Sequence, residues 1–282
     1  MQSIDLHAHT TASDGSLTPT ELVVKAAEEG LTALAITDHD TLDGLAEAEE
    51  AARQMNIELV PGIELAVSYP SGRFHMLGYL LDRSDPALNG RLTLLKENRA
   101  NRNARMVEKL RGLAVDITLD DVIAESGGGQ VGRPHMAAAL VKRGLATSVQ
   151  DAFDRYLADG AAAHVPKDKI TVEEGLDLIH AAGGLAVMAH PSSLKLTGDT
   201  LAAELVRLRQ LGLDGLECYY SQHTPEQTDT LLDMARAAGL LATGGSDFHG
   251  NAKPHVHLGH VIGDLPAPDA LLAALKDRKN QA

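Results

Sequence analysis

The 282-residue sequence predicts an α/β protein built on a parallel sheet, most economically closed as a barrel, with a helical segment inserted part-way along the chain. Three observations carry that reading. Strand patterns alternate with amphipathic helix patterns toward both ends of the chain. The strands are uninterrupted apolar runs, as expected where both faces of a sheet are covered. Nearly every strand ends on histidine, aspartate or glutamate, at the mouth where a barrel of parallel strands gathers its functional groups.

The first strand holds Ile4-Asp5-Leu6-His7-Ala8-His9-Thr10 and runs into Thr11-Ala12-Ser13-Asp14-Gly15. Side chains of a strand alternate faces, so His7 and His9 point the same way, and the short turn bends the Asp14 carboxylate back over them. Thr18 is the expected cap of a helix reaching about residue 30, with Pro19 at its first position and Glu21 completing a capping box. Residues 32–37 read as a strand ending in Asp38-His39-Asp40, 42–54 as a helix, and 58–68 as a strand carrying Gly62-Ile63-Glu64. Ser71-Gly72 turns the chain into a strand over 74–79, so Glu64 and His75 fall on a hairpin or on neighbouring strands. From 85 to 165 the rhythm changes to helices alone, expected over 86–113, 119–125, 134–143 and 148–157. Alternation then resumes. Helices are expected over 171–182, 200–211, 225–238 and 269–279. The intervening strands cover 184–189, ending in His190-Pro191, then 215–220, and finally 240–244, ending in Ser246-Asp247-Phe248-His249. Residues 1–84 and 166–282 are thereby assigned to the barrel, and 85–165 to a helical insertion that covers the strand ends.

A hydrophobic content of 44% provides for a large core, and the formal net charge of -14 disfavours a tight, non-specific grip on long nucleic acid. Cys218 is the only cysteine, which excludes an intrachain disulfide and fits a reducing compartment. The chain opens into a strand without a basic and apolar leader, and no apolar run is long enough to span a bilayer, so cytoplasm is the expected location and no membrane partner is expected.

Lining up the strand ends collects His7, His9, Asp14, His39, Glu64, His75, His190, Asp247 and His249. Any one of these histidines alone reads as an ordinary cap or core residue. Independent structural histidines, however, have no reason to recur at the same end of nearly every strand. The set is too large for one tetrahedral ion and suits two or three cations bridged by carboxylates. Imidazole with carboxylate and no thiolate favours manganese, iron or zinc over magnesium. Asp5, Asp38 and Asp40 are candidates for orienting an imidazole from behind, with helix capping an equal alternative for Asp40.

These motifs resemble the polymerase and histidinol phosphatase (PHP) family: His7-Ala8-His9, Asp14-Gly15, Thr37-Asp38-His39-Asp40, Gly62-Ile63-Glu64, His75, Ala189-His190-Pro191 and Ser246-Asp247-Phe248-His249 follow its metal motifs in order from end to end. The resemblance implies a distorted (β/α)7 TIM-like barrel around three divalent metal ions, manganese foremost and iron or zinc as alternatives. Carried over residue by residue, His7, His9, Glu64 and Asp247 hold one metal, Glu64, His75 and His190 a second, and Asp14, His39 and His249 a third. Three divalent ions bring about +6 and the three carboxylates with one bridging hydroxide remove about four, leaving roughly +2 for a phosphate monoester dianion. A metal-bound hydroxide is the expected nucleophile, with Asp14, His39, Asp247 and His249 around the reacting phosphorus.

Within the insertion, Ser126-Gly127-Gly128-Gly129-Gln130-Val131-Gly132-Arg133-Pro134-His135 is a glycine-rich loop running into a helix whose expected first residue is Pro134. A helix N-terminus beside an arginine is an anion site, and a connector with a cap is the alternative. PHP nucleotide phosphatases carry a similar Arg-x-His on a helical insertion, which implies that Arg133 and His135 bind substrate. The expected reaction is hydrolysis of the 5'-phosphate of a small nucleotide, foremost a 3',5'-bisphosphonucleotide such as pAp. Rival readings are 5'-to-3' exoribonuclease action on short 5'-phosphorylated oligoribonucleotides, histidinol phosphatase activity, and a non-catalytic module stabilised by metal. His255, His257 and His260 have no carboxylate at comparable spacing and are read as surface residues. His164 and His223 are read as solvated loop residues, His180 as structural, Cys218 as buried, and Glu217 is given no metal.

Overall fold

The computed structural model describes residues 3–126, 129–261 and 267–281. Seven main strands, β1 (Ser3–Ala8), β2 (Leu31–Ile36), β3 (Glu58–Val67), β4 (Phe74–Tyr79), β5 (Leu185–Met188), β6 (Gly215–Tyr220) and β7 (Leu241–Gly245), lie side by side in chain order. A two-residue strand, β8 (Ala267–Pro268), pairs antiparallel with β1. Beyond the end of β7 the sheet curls onto β1 through the Ala8–Phe248 bridge and the His9 N to Phe248 O and Asp247 N to His7 O hydrogen bonds of 2.9 and 2.8 Å. Gly245 makes that seam possible, because a β-carbon there would stand 2.3 Å from the backbone nitrogen of His7.

The β1/β2, β2/β3, β5/β6 and β6/β7 pairs are parallel, but β4 runs antiparallel to both β3 and β5. This corrects the expectation of a purely parallel sheet. The 68–73 connection is far too short for a crossover and can only form a hairpin. His75 therefore sits at the start of its strand, yet at the same mouth as the C-terminal ends of the others.

The helices follow their sequence signals. Thr18 caps α1 (Pro19–Glu28) in a reciprocal box with Glu21, and Thr224 with Gln227 does the same for α9 (Pro225–Ala238). α2 (Leu45–Met55) begins three residues later than the apolar pattern implied. Leu22, Val23 and Ala26 of α1 and Leu45 and Ala48 of α2 bury against Leu34 and Ile36 of β2. A second cluster joins Ala33, Ala35, Val60, Leu77, Tyr79 and Val187 to Leu272 and Leu275 of the last helix, α10 (Ala270–Gln281). The elements between β4 and β5 are helical, as expected: α3 (Pro86–Gly112), α4 (Leu119–Ala124), α5 (Arg133–Lys142), α6 (Val149–Ala152) with a π-turn over Phe153–Leu157, and α7 (Val172–Ala181). Met106, Leu110, Val122, Met136 and Leu140 give α3 to α5 a hydrophobic core of their own. α8 (Gly198–Leu211) lies between β5 and β6.

Candidate metal centre

The β1 pattern places His7 and His9 as alternation requires: both are fully buried with ring centroids 5.2 Å apart. β3 brings Glu64 into the middle of the mouth. Its Oε1 lies 2.8 Å from His75 Nδ1 and 2.9 Å from His190 Nε2, and its Oε2 lies 3.3, 3.2 and 3.1 Å from His7 Nε2, His9 Nε2 and His39 Nδ1. One carboxylate thus faces five imidazoles. Asp247 Oδ1 stands 3.6 and 3.3 Å from His7 and His9 Nε2, while Asp14 approaches His249 Nε2 at 3.3 Å and His39 Nε2 at 3.9 Å. All nine residues singled out from the sequence converge on one place.

Three groups of these side chains each bring their donor atoms within 4.8 Å of one another: His7, His9, Glu64 and Asp247; His9, Asp14, His39 and His249; and His39, Glu64 and His75. The first matches the expected grouping and the second adds His9 to it. In the third, His39 stands where His190 was expected, although His190 still reaches the same Glu64 oxygen.

Whether cations fit here is decided by atoms without partners. His7 Nε2, both ring nitrogens of His9, His39 Nδ1 and Glu64 Oε2 are buried and make no hydrogen bond. A buried polar atom without a partner costs about 1–3 kcal/mol, so five of them aimed at one point are the signature of absent cations. Burial alone would raise the carboxyls, but the surrounding imidazoles outweigh it and hold Glu64, Asp14 and Asp247 well below the usual carboxylate range. Burial pushes His39 down to about 3, keeping that imidazole neutral and able to donate a lone pair. Asp40, His190 and Asp247 adopt positive φ values of 53°, 27° and 58°, so backbone strain concentrates around the strand ends that deliver the site.

The supporting contacts differ from those expected. Asp5 accepts hydrogen bonds from the backbone of His7, Ser246 and Gly259, and Asp38 from Thr10 and Ser13, so these two brace loops and touch no imidazole. Asp40 caps no helix. It accepts from Arg99 at 2.5 Å, Lys167 at 2.6 Å and Ala66 N, fastening the barrel to α3 and to the segment before α7. The carboxylate behind the imidazoles is Glu217 of β6: Oε1 lies 2.8 Å from His7 Nδ1, and Oε2 accepts the His190 backbone N–H at 2.6 Å. Tyr220 and Lys253 both donate to Asp247 Oδ2, at 2.9 and 2.5 Å.

A cavity of about 320 Å³ opens over the cluster, with Arg73, Lys253, Ser193 and Pro134 on its rim. Arg133 and His135 flank Pro134 but are otherwise engaged. The Arg133 guanidinium donates to Asp159 at 2.6 Å and to Leu157 O at 3.1 Å, and His135 Nδ1 accepts the Gly132 N–H at 3.1 Å. α5 starts at Arg133, one residue before the expected Pro134. Gly127 and Gly128 of the glycine-rich loop lie outside the described residues. His223, read as solvated, is instead buried, with Nδ1 3.0 Å from Cys218 O and its ring edge-on to Tyr220. Cys218 is buried as read, and His180 pairs with Asp214 at 2.9 Å.

The sequence profile of the PHP domain matches residues 5–158, more than half of the chain. The protein belongs to the PHP family. It is 37% identical over 265 residues to the 5'-3' exoribonuclease Rnm of Escherichia coli, covering 93% of this chain and 90% of that one. It is 34% identical over 268 residues to the 3',5'-nucleoside bisphosphate phosphatase of Chromobacterium violaceum, covering 94% and 93%. A crystal structure from Bifidobacterium adolescentis with a provisional metal-dependent phosphoesterase description superposes with a TM-score of 0.85 at 35% identity, covering 98% and 96%. The fold and family implied by the motifs are therefore those observed, and the inverted β4 and the closure of β7 onto β1 are how this PHP chain distorts its barrel.

Glu217, Tyr220 and Lys253 are the contributors that the sequence reading passed over. Only Glu217 left a signal, a carboxylate inside an otherwise apolar strand.

Proposed function

We propose that this PHP protein is a hydrolase that removes the 5'-phosphate of small nucleotides, 3',5'-bisphosphonucleotides foremost, using three divalent cations with manganese as the preferred metal and iron or zinc as alternatives. The observation that carries the reading is the set of partnerless buried nitrogens and the Glu64 oxygen facing one point beneath an open cavity. His7, His9, Glu64 and Asp247 would hold one cation, Asp14, His39 and His249 with His9 a second, and Glu64, His75 and His190 with His39 a third. When bound, the cations supply the Lewis acidity for in-line attack of water on phosphorus.

The chain's own residues fix the geometry. Tyr220 and Lys253 occupy the outer oxygen of Asp247 and leave Oδ1 for the His7–His9 pair. Glu217 holds the His7 ring in the tautomer that presents Nε2 as a lone pair. Arg133 and His135 stand at the edge of the cavity, and Arg133 would exchange Asp159 for a substrate phosphate. The 85–165 segment serves as the cover of the site, and the lone reduced cysteine suits a cytoplasmic enzyme. Among the described residues no helix is long and apolar enough to cross a membrane.

A second reading, 5'-to-3' exoribonuclease action on short 5'-phosphorylated RNA, is favoured by the 37% identity to Rnm. Phosphate and nucleotide release should be measured after chelation and manganese addition, on a 3',5'-bisphosphate and on 5'-phosphorylated oligomers of increasing length. Best turnover on the mononucleotide supports the phosphatase, and a steep rise with length supports the exonuclease. No release from any substrate overturns both.

A further inference from the structure

We propose that Arg73 is the anchor for a second phosphate group of the substrate, one that is not hydrolysed, and that it makes the site prefer nucleotides phosphorylated on both sides of the ribose. The proposal rests on the phosphoesterase reading above. Two cationic side chains other than histidine line the cavity, Arg73 and Lys253. Lys253 is committed to Asp247 at 2.5 Å. Arg73 is exposed at the rim, and among the described residues its guanidinium has neither an ion pair nor a hydrogen bond.

The backbone that carries Arg73 is fastened to the metal centre. Gly72, at φ +60°, packs so tightly on the segment after β5 that a β-carbon would lie 2.3 Å from Ser193 O. Arg73 N donates to Ser193 O at 2.8 Å, and Ser193 Oγ donates to Arg73 O at 2.6 Å. The same hydroxyl lies 3.1 Å from His190 Nδ1. The side chain is free while its root is fixed relative to a candidate ligand.

Position supplies the rest. Arg73 precedes His75 by two residues at the entry to β4, with Phe74 buried on the opposite face, so Arg73 projects from the same face as His75, about 7 Å further out. That is a span a single nucleoside bridges: one phosphate over the Glu64 cluster, the other at the guanidinium. A planar guanidinium takes two phosphate oxygens at once, which an ammonium does not. The anchored group is a 3'-monoester in a bisphosphate or the first internucleotide diester in RNA.

The test compares wild type, Arg73→Ala and Arg73→Lys, each loaded with manganese, on a nucleoside 3',5'-bisphosphate, the matching 5'-monophosphate and a 5'-phosphorylated dinucleotide. The readout is the ratio of kcat/KM for each doubly charged substrate to that for the monophosphate. In Arg73→Ala the ratio should fall by about tenfold or more, carried mainly by KM, with Arg73→Lys between the two. A fall with the bisphosphate alone identifies the 3'-monoester as the anchored group, and a fall with the dinucleotide alone identifies the diester. A ratio within about threefold of wild type on both overturns the proposal whether or not overall activity drops, as does a wild-type enzyme with no preference for the second phosphate. Wild type inert on all three substrates would instead remove the phosphoesterase reading. Thermal unfolding of both variants confirms that the folded state is intact.

Discussion

His7 and Glu217 are both fully buried and meet at 2.8 Å, ring Nδ1 to carboxylate, 210 residues apart in the chain. That contact fixes the ring so that Nε2 faces Glu64 and Asp247, and the other Glu217 oxygen holds the backbone of His190. Glu217 is therefore a positioning residue for two of the proposed ligands. Glu217→Gln keeps the shape but loses the charge, and should weaken metal affinity or turnover by about 10–100-fold. Competition with a metal indicator and steady-state kinetics check it, and unaltered affinity with unaltered turnover would reduce Glu217 to packing.

His39→Ala and Asp247→Ala each remove a donor shared between neighbouring groups of the cluster. Either should lower phosphate release by at least about 100-fold while the circular dichroism spectrum stays that of wild type. Chelation of the wild-type protein should abolish release and lower the thermal midpoint together, and manganese should restore both, because cations bind the folded state alone. Full activity in either variant, or in a thoroughly chelated sample, contradicts the metal reading.

The centre was legible because its signals are local. Alternation places His7 beside His9, and a strand end announces Asp247 and His249 within three residues of each other. The Thr18–Glu21 box likewise needs only four residues. What was not legible depends on pairing across the fold. Asp40 meets Arg99 and Lys167 at separations of 59 and 127 residues, so its neighbours in sequence pointed to a cap instead. Glu217 looked like a stray carboxylate because its partner lies on the first strand. Arg133 read as an anion binder from its motif, whereas Asp159, which engages it, lies 26 residues on. The inversion of β4 is intermediate: the short 68–73 connection signalled a hairpin, yet the surrounding parallel rhythm masked its consequence for the sheet.

The Asp40 triad makes a stability prediction. Asp40 is buried, and although burial alone would raise its carboxyl, Lys167 and Arg99 hold it below the usual range. Removing a partner from a buried ionic group leaves uncompensated charge, so Asp40→Ala should cost about 3–5 kcal/mol in chemical denaturation. Substrate turnover should fall too, since this residue ties α3 to the mouth of the barrel. A loss under about 1 kcal/mol would mean that water replaces the carboxylate and the triad adds little.

His180 on α7 should make stability depend on pH. Its hydrogen bond to Asp214, 2.9 Å long, raises the imidazole above its ordinary value of 6.5 against the opposing effect of burial. A group raised in the folded state contributes stability that is complete below its unfolded value and disappears as pH climbs through the folded one. Between about pH 6 and pH 8 the unfolding free energy of wild type should therefore decline with rising pH. His180→Asn keeps a polar side chain without the titrating proton and should flatten that part of the curve, leaving the two proteins closest in stability at the alkaline end. Comparing the variants in urea at a series of pH values cancels the other histidines. Parallel curves across the range would show that His180 titrates identically in the folded and unfolded chains and that the Asp214 contact does not favour the charged imidazole.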